Sequence, residues 1–386
     1  MTKLDQLIKD LCPNGVEYKV IRSICSIDTG EQLNRSGLLE QGPFPVYNGG
    51  INPSGFHTEY NTLANTIAIS QGGASAGFVN FVTVPFWSGA HCYTIQNINS
   101  CITSRFLYFL LKNLEPVLQG KKQGAGIPGL NRKQILDLTI PVPPIEVQNE
   151  IVRILDAFTE LTAELTAELT ARKRQYTHYL NELLNSQYPT KTLGELGTFV
   201  RGNGLQKKDF VESGVGCIHY GQIYTYYGTY TDKTKSFVSP ELAQKLKKAH
   251  YGDLVIATTS ENVEDVGKAV VWLGKDDICI SGDSFVFRHK QNPKYMAYLF
   301  QSEMFFQQKR KCATGAKVIR INDVAMKKFS FPIPPLEEQE HIVKILDRFE
   351  ALCNDISVGL PAEIKARQQQ CEYYRNKLLT FEEVKA

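Results

Sequence analysis

The fold of this chain is decided by a stretch that occurs twice. It reads PVPPIEVQNEIVRILDAFTEL at 141–161 and PIPPLEEQEHIVKILDRFEAL at 332–352, with 12 of 21 aligned positions identical and no gap. The identities include Gln148 with Gln339 and Asp156 with Asp347. Because chance does not give such a match, we interpret the chain as an internal duplication.

The similarity continues on both sides of this stretch. ARKRQYTHYLNELL (171–184) matches ARQQQCEYYRNKLL (366–379), with four more residues before it in the second copy than in the first. Upstream, SRFLYFLLKNL (104–114) and PKYMAYLFQSEM (293–304) each have the spacing of an amphipathic helix. The order of segments is therefore domain, helix, domain, helix. We predict the first domain at 1–140, the first helix at 141–187, the second domain at 188–331 and the second helix at 332–386.

Both repeated stretches predict long helices. Apolar residues recur every three or four positions from Ile145 to Leu184, and about 40 residues of helix are ~60 Å long. The distal copy runs from about Leu336 to Leu379, and Gly359 with Pro361 should break or kink it. The predicted apolar stripes are Leu155, Phe158, Leu161, Leu165 and Leu169 on the first helix and Leu346, Phe349 and Leu352 on the second.

A long helix with one narrow apolar stripe needs a partner, and its own repeat is the simplest one. We therefore predict an α+β protein with two pseudo-repeated mixed α/β domains, joined by two long antiparallel, coiled-coil-like helices. The alternative is a pair of ordinary surface helices, each packed on its own domain. The helix length and the duplicated start sequence favour the paired arrangement.

Composition restricts the class of protein. Apolar content of 42% and charged content of 22% are typical of globular proteins, and no apolar run is long enough for a membrane span. The nine cysteines are scattered without a CxxC or Cys/His cluster, which favours reduced cytoplasmic thiols over disulfides or a metal site. Because the net charge is only +3, nucleic-acid binding would require a local basic face.

No catalytic signature is present: the chain lacks a GxxxxGK[ST] loop, HExxH and GxSxG. Instead, cations, amides and tyrosines occur on Gly-rich stretches in comparable places of both repeats. Lys and Arg neutralise phosphates, whereas Asn, Gln and Arg read base edges. Each stretch alone could equally be a solvated loop. The predicted DNA-contact residues are Asn48, Gln71, Lys121, Lys122, Gln123, Asn131, Arg132 and Lys133 in the first domain, and Arg201, Lys207, Lys208, Tyr220, Gln222, Tyr226, Lys311, Lys317 and Arg320 in the second.

The first helix carries the unit TAEL twice, at 162–165 and 166–169. Four residues of helix add ~6 Å and rotate the downstream part of the chain by ~40°. One DNA base pair adds ~3.4 Å and turns the duplex by ~34–36°. The rotations match well and the rises only loosely, so we expect one TAEL unit to correspond to about one base pair.

The duplicated PPxxxQxxIVxILDxF motif, the TAEL repeats and the ending LPAEIKARQQQCEYYRNKLLTF resemble the specificity subunit of Type I restriction–modification systems with a TAEL spacer. The resemblance covers essentially the whole chain. It implies a non-catalytic protein in which each globular domain reads one half of a split, asymmetric site on double-stranded DNA. It also implies that the helices dock two methyltransferase subunits, which carry S-adenosylmethionine, and that restriction subunits using ATP and Mg join them. This chain would hold no cofactor or metal.

Three other interpretations remain at this point. The chain could serve a simpler cutting enzyme, it could be an adaptor whose helices join two protein-binding modules, or it could be an enzyme with an unfamiliar site. Salt-sensitive DNA binding would argue against the adaptor, because phosphate contacts release counterions. Methyltransferase activity that appears only when a partner subunit is added would argue against the enzyme.

Overall fold

The computed structural model describes residues 2–122, 129–315, 317–354 and 358–384. The chain forms two compact units, one of Met1–Thr166 with Glu363–Ala386 and the other of Ala167–Ala362. Each unit therefore combines one globular repeat with parts of the long helices. No helix in the described ranges is both long and apolar enough to cross a membrane.

The first unit mixes short helices with strands that are mostly antiparallel. Its elements up to the long helix are α1 (Lys3–Leu11), β1 (Glu17–Val20), β2 (Ser26–Thr29), β3 (Phe44–Tyr47), β4 (Gly55–His57), β5 (Thr66–Ser70), β6 (Val79–Val82), β7 (Trp87–Ser88), β8 (Cys92–Gln96), α2 (Ser104–Asn113), α3 (Glu115–Gly120), α4 (Arg132–Leu136), β9 (Thr139–Val142) and α5 (Ile145–Leu184). The main sheet has the order β2-β8-β5-β6, with every pair antiparallel. A second sheet has the order β4-β3-β7, in which β3 and β7 are parallel, and β1 pairs with β9.

The last residues of the chain complete the first unit. The backbone N–H of Val16 donates to the carbonyl of Glu382 (2.8 Å), and the hydroxyl of Tyr18 donates to the carbonyl of Phe381 (2.8 Å). Leu379 is buried in the same core as Ile67 and Leu155. The C-terminal segment is therefore part of this unit's hydrophobic core.

The second unit repeats this plan with more strands. Its elements are β10 (Thr190–Thr192), α6 (Leu193–Leu196), β11 (Gly197–Arg201), β12 (Val215–Ile218), α7 (Tyr220–Thr225), β13 (Tyr230–Thr231), β14 (Ser236–Val238), α8 (Pro240–Ala243), β15 (Lys248–Ala249), β16 (Leu254–Ala257), β17 (Thr259–Ser260), β18 (Ala269–Trp272), β19 (Ile278–Ile280), β20 (Ser284–His289), α9 (Pro293–Leu299), α10 (Glu303–Cys312), β21 (Ile319–Arg320), α11 (Asp323–Met326), β22 (Ser330–Pro332) and α12 (Leu336–Asn354). The sheets have the orders β11-β20-β16-β18-β13 and β14-β12-β19-β15, and β17 pairs with β21. The final helix is α13 (Leu360–Leu378).

The predicted helix at 293–304 is divided in two. α9 ends at Leu299, and Ser302 begins α10 by accepting a hydrogen bond from the backbone N–H of Phe305 through its side chain. Ser302 is the N-cap residue of α10, and its hydroxyl competes with continuation of α9.

The identical glutamines of the repeat make equivalent buried contacts. The side-chain carbonyl of Gln148 accepts from the backbone N–H of Thr103 (2.9 Å), and its amide donates to the carbonyl of Pro143 (2.8 Å). The side-chain carbonyl of Gln339 accepts from the backbone N–H of Asn292 (2.9 Å). Thr103 and Asn292 are the N-cap residues of α2 and α9. Each glutamine thus fixes the start of a long helix to the helix of its own globular domain.

The identical aspartates act in the same way through ion pairs. Asp156 on α5 accepts from the guanidinium of Arg105 on α2, at 2.8 Å from Nε and 2.6 Å from Nη2. Asp347 on α12 accepts from Nζ of Lys294 on α9 at 2.7 Å. The repeat was readable in the sequence because these contacts require the same residues twice.

The long-helix prediction is confirmed by α5, which has 40 residues. In the first unit, Phe158 stacks on Tyr374 of α13 with ring centroids 5.3 Å apart. In the second unit, Tyr179 stacks on Phe349 of α12 with centroids 5.4 Å apart. Early residues of α5 therefore contact the later C-terminal helix and late residues contact the earlier one, which is the order of an antiparallel pair. The distal copy is two helices, as Gly359 and Pro361 predicted.

Burial along the predicted stripes is uneven. Leu155 and Leu346 are fully buried, whereas Leu161, Leu165, Leu169 and Phe349 are half-buried and Leu352 is 37% exposed. The threonine hydroxyls of the repeated segment bond to their own helix, since Thr162 donates to the carbonyl of Phe158 and Thr166 to that of Thr162. The threonine of each TAEL unit is therefore satisfied by the carbonyl four residues before it in the same helix.

Candidate nucleic-acid interface

Several predicted contact residues of the first domain meet where the strands of its main sheet end. We call this place the first strand-end site and define it by Thr29, Gln71, His91 and Gly129–Arg132. The backbone N–H of Leu130 donates to the carbonyl of Gln71 (2.8 Å), which ties the segment before α4 to the end of β5. Nη2 of Arg132 donates to the hydroxyl of Thr29 at 2.7 Å, and the guanidinium lies 5.9 Å from the ring centroid of Tyr93.

The amides predicted for this domain differ in how far they are engaged. Asn131 is exposed, but its side chain accepts from the backbone N–H of Lys133 (2.9 Å) and caps α4. The side chain of Asn48 accepts from the backbone N–H of His91 (3.1 Å). Gln71 is bonded through its backbone, whose N–H donates to the carbonyl of His91 (2.9 Å). Asn48 and Gln71 therefore lie on either side of His91.

The predicted lysines of the first domain differ in exposure and contacts. Nζ of Lys122 donates to the carbonyl of Ala74 at 2.9 Å, in the loop between β5 and β6. Lys121 is half-buried, and Lys133 is exposed on α4. Gln123 lies outside the residues that the structure describes. Of these lysines, Lys122 thus contacts the loop that follows Gln71.

The second domain builds an equivalent place from the same backbone bonds. The backbone N–H of Ile321 donates to the carbonyl of Thr258 (3.1 Å), and that of Thr258 donates to the carbonyl of Asp283 (3.0 Å). We define the second strand-end site by Arg201, Thr258, Asp283 and Arg320–Asp323. Arg201 pairs with Phe285 in the ladder of β11 and β20, and Thr29 pairs with Tyr93 in the ladder of β2 and β8. Arg201 and Thr29 therefore occupy equivalent positions in the two domains.

Two adjoining cavities open at the second strand-end site. Each has a volume of about 390 Å³, and both are lined by Arg201 and Asp283. The first is also lined by Arg320 and the second by Tyr220, so three of the predicted contact residues converge here. The first cavity therefore has two arginines and two aspartates, Asp283 and Asp323, on its walls, which suits a ligand that presents both acceptors and donors.

The remaining predicted residues of the second domain are spread more widely. Lys207 and Lys208 are exposed on a short 3-10 turn after β11, and Lys311 and Lys317 are exposed near the end of α10 and before β21. Tyr226 is 57% exposed, with Nζ of Lys235 over its ring at 4.4 Å. The amide of Gln222 is bonded to the backbone N–H of His219 (3.0 Å) and to the hydroxyl of Ser236 (2.7 Å).

Residues that the sequence did not point out also line these sites. His219 is 6% exposed, and burial, followed by the nearby Lys207 cation, lowers the pKa of its imidazole. Its ring lies 4.5 Å from that of Tyr220, so a neutral imidazole supports the tyrosine. Three more residues lie at or next to strand ends, namely Thr29, His91 and Asp283. Their position at the end of a predicted strand is the sequence feature that could have identified them. Within the described ranges, no group of three or more His, Cys, Asp or Glu residues could hold a metal ion.

Comparison with known proteins gives one consistent family. Residues 13–172 and 185–366 match the family described as Type I restriction modification DNA specificity domain. A putative type I restriction enzyme specificity subunit of Haemophilus influenzae is 31% identical over 402 residues, with 98% of each chain covered. The specificity subunit of the type I restriction enzymes EcoR124I/EcoR124II of Escherichia coli is 31% identical over 326 residues, 79% of each chain. A crystal structure of an S subunit from M. genitalium has a TM-score of 0.60 at 19% identity, covering 95% of this chain and 96% of that one.

Proposed function

We propose, because this chain belongs to the family of Type I restriction–modification DNA specificity subunits, that each of its globular domains reads one half of a bipartite DNA site. As a specificity subunit it is the DNA-recognition component of its complex and is itself non-catalytic. The proposed recognition domains are 1–140 and 188–331, and the proposed helical segments are 141–187 and 332–386.

The observation that carries this proposal is the pair of strand-end sites. The same backbone bonds build both, so the two domains would approach DNA with the same surface. Their side chains differ, since Thr29 and His91 in one take the places of Arg201 and Asp283 in the other. Equivalent surfaces with different donors and acceptors would read two different sequences, which makes the proposed site asymmetric.

The basic residues around these sites would position the duplex without reading it. Lys207, Lys208, Lys311 and Lys317 are exposed, and exposed lysines contact phosphates as point charges. Removing one such contact weakens binding by a similar factor for every sequence and reduces its salt dependence. Base recognition is therefore proposed for the groups that line the concave sites rather than for these lysines.

We propose that α5 sets the number of base pairs between the half-sites and that the TAEL units are its adjustable part. The units are helical, their threonine hydroxyls are satisfied locally, and Leu161, Leu165 and Leu169 are only half-buried. Because an added unit would recreate the surroundings of its neighbour, the helix would accept it at little cost in stability. Its length would increase by ~6 Å and its phase by ~40°.

The same helices would dock two methyltransferase subunits, with restriction subunits joining the assembly. Leu352 is 37% exposed and the leucines of the TAEL segment are half-buried, so part of the predicted apolar stripe is available to a partner. S-adenosylmethionine, ATP and Mg are expected on those partner subunits. This chain would contribute sequence recognition and spacing.

The proposal is tested by sequencing the methylome of cells that express this chain with its cognate methyltransferase subunits. We expect a split motif with adenine methylated on both strands. Insertion of a third TAEL after Leu169 should lengthen the spacer by about one base pair and leave both half-sites unchanged, and deletion of one unit should shorten it.

A matched control separates helix length from the identity of the insert. Four residues of similar helix propensity but different order, such as Ala-Glu-Leu-Thr, should shift the spacer as TAEL does, because the same rise and rotation are added. A well-formed complex that methylates no split motif would contradict the recognition function. A split motif whose spacer ignores the insertion would contradict the role of α5 alone.

A further inference from the structure

We propose that Arg201 and Asp283 together read one G·C base pair of the second half-site through the major groove. This inference rests on the recognition function proposed above and assigns a base pair to the second strand-end site. Both side chains line the same two cavities and have few partners of their own.

Arg201 is available for a ligand. It is the last residue of β11 and is exposed, and its Nε donates to the carbonyl of Gly282 at 3.3 Å. In the part of the chain that the structure describes, Nη1 and Nη2 have no hydrogen-bond or ion-pair partner. The bond from Nε holds the side chain at the mouth of the cavity while these donors remain free. A guanidinium binds bidentately where two acceptors are adjacent, and in the major groove O6 and N7 of guanine form that pair.

Asp283 supplies the opposite chemistry beside it. Its carboxylate accepts from the hydroxyl of Thr259 at 3.4 Å, a long contact, and within the described ranges it has no ion-pair partner. A free carboxylate in this position repels phosphate, so the cavities do not suit the DNA backbone. It accepts instead from the N4 amino group of cytosine. Guanine and cytosine of one pair present these acceptors and this donor side by side.

The first domain has the equivalent backbone arrangement but different side chains. In the first domain, Thr29 occupies the position equivalent to Arg201. The backbone N–H of Gln71 there donates to the carbonyl of His91, where the N–H of Thr258 donates to the carbonyl of Asp283 in the second domain. The first domain therefore lacks this donor–acceptor pair. The only arginine or lysine within its strand-end site as defined is Arg132, which is the first residue of α4 and donates to the hydroxyl of Thr29. The G·C reading is thus assigned to the second domain alone.

The experiment uses the complex of the full chain with its methyltransferase subunits. The wild-type motif is first determined by methylome sequencing, and methylation rates are then measured on duplexes carrying each single base-pair change in both half-sites. The variants are Arg201→Lys, which keeps the charge but loses the bidentate fork, and Asp283→Asn, which loses the carboxylate but keeps its shape. Lys208→Ala is the matched control for a phosphate contact.

Both test variants should lose discrimination at the same base pair, a G·C pair of the second half-site, by roughly 5- to 150-fold. Discrimination in the first half-site should stay unchanged, which also shows that the variants are folded. Lys208→Ala should slow methylation of all sequences by a similar factor and leave both half-sites as specific as before.

Two results would overturn the inference. One is retention of full discrimination by Arg201→Lys with a uniform loss of rate, which would identify Arg201 as a phosphate contact. The other is a relaxed position that is not G·C, or two different positions for the two variants. Either result leaves the split motif itself intact, so failure here is distinguishable from failure of the proposed function, in which no split motif is found.

Discussion

Replacement of Gln148 by leucine should destabilise the first unit strongly. The side chain is fully buried and makes three hydrogen bonds, from the backbone N–H of Thr103 (2.9 Å) and to the carbonyls of Cys101 and Pro143 (both 2.8 Å). Leucine has a similar volume, so little cavity forms. The carbonyl of Pro143 that loses its partner is buried, the groups of Thr103 and Cys101 are part-buried, and each unpaired group costs up to roughly 1–3 kcal/mol. We expect the free energy of unfolding to fall by about 3–5 kcal/mol.

The two tryptophans of the chain allow each unit to be followed separately. Trp87 belongs to the first unit and Trp272 to the second. In a Trp272→Phe background, urea unfolding detected by Trp87 reports the first unit alone, and the reverse background reports the second. With a slope of ~2–3 kcal/mol per M for a unit of this size, the midpoint detected by Trp87 should fall by roughly 1–2 M. Gln339→Leu should shift the Trp272 transition in the same way.

The matched control is Asn149→Leu, an amide-to-leucine change at the next position of the same helix. Asn149 is exposed, so its replacement should change the free energy of unfolding by less than ~0.5 kcal/mol. A Gln148→Leu midpoint shift no larger than that of the control would contradict this structural role of Gln148. An equal loss of stability at both tryptophans would contradict it as well, because the contacts that the substitution removes all lie in one unit.

Two further predictions concern pH and use the tryptophan of each unit. Hydrogen bonds from Arg153 and Lys3 lower the pKa of Glu150 from 4.5 to about 2, so stability of the first unit that is present above pH 4.5 should be lost as the pH falls toward 2, and Glu150→Gln should remove this dependence. Burial, and then the cation of Lys268, lowers the pKa of Lys309 from 10.5 to about 8. Because the unfolded chain binds the proton more tightly, the second unit should become more stable as the pH rises from about 8 to 10.5. Lys309→Met should flatten this rise, and slopes equal to those of the parent protein would contradict either assignment.

The framework of the protein was predictable because its contacts are encoded twice. The α+β class, the duplicated domains and the long helix are confirmed. Gln148 and Asp156 recur as Gln339 and Asp347, since a buried amide and a helix-anchoring carboxylate each need one particular partner geometry. Helix spacing then gave the long elements, because their apolar stripes repeat with the period of the helix.

The candidate site was less predictable, because composition does not reveal which polar groups are already engaged. The sequence Asn-x-x-Gln at Asn131 is a capping box, so its amide is bonded locally. Lys309 lies in a basic stretch, but the fold buries it and Nζ donates to the carbonyls of Glu264 (2.8 Å) and Val266 (2.9 Å). Those carbonyls are more than 40 positions away in the chain. Only the fold shows that Arg201 and Asp283, 82 positions apart, line the same cavities.

Substitution of a framework residue such as Gln148 costs more stability than substitution of a strand-end residue such as Arg201. This difference explains how the two repeats could keep the same backbone contacts while their strand-end side chains diverged. A change at Gln148 leaves buried and part-buried backbone groups without partners and costs several kcal/mol, a large part of a domain's stability. A change at Arg201 or Asp283 alters exposed or lightly bonded groups at strand ends and typically costs less than ~0.5 kcal/mol. Base preference can therefore change in one domain without loss of its fold and without effect on the other domain. Under this reasoning, exchange of Thr29 and Arg201 between the domains alters recognition far more than stability.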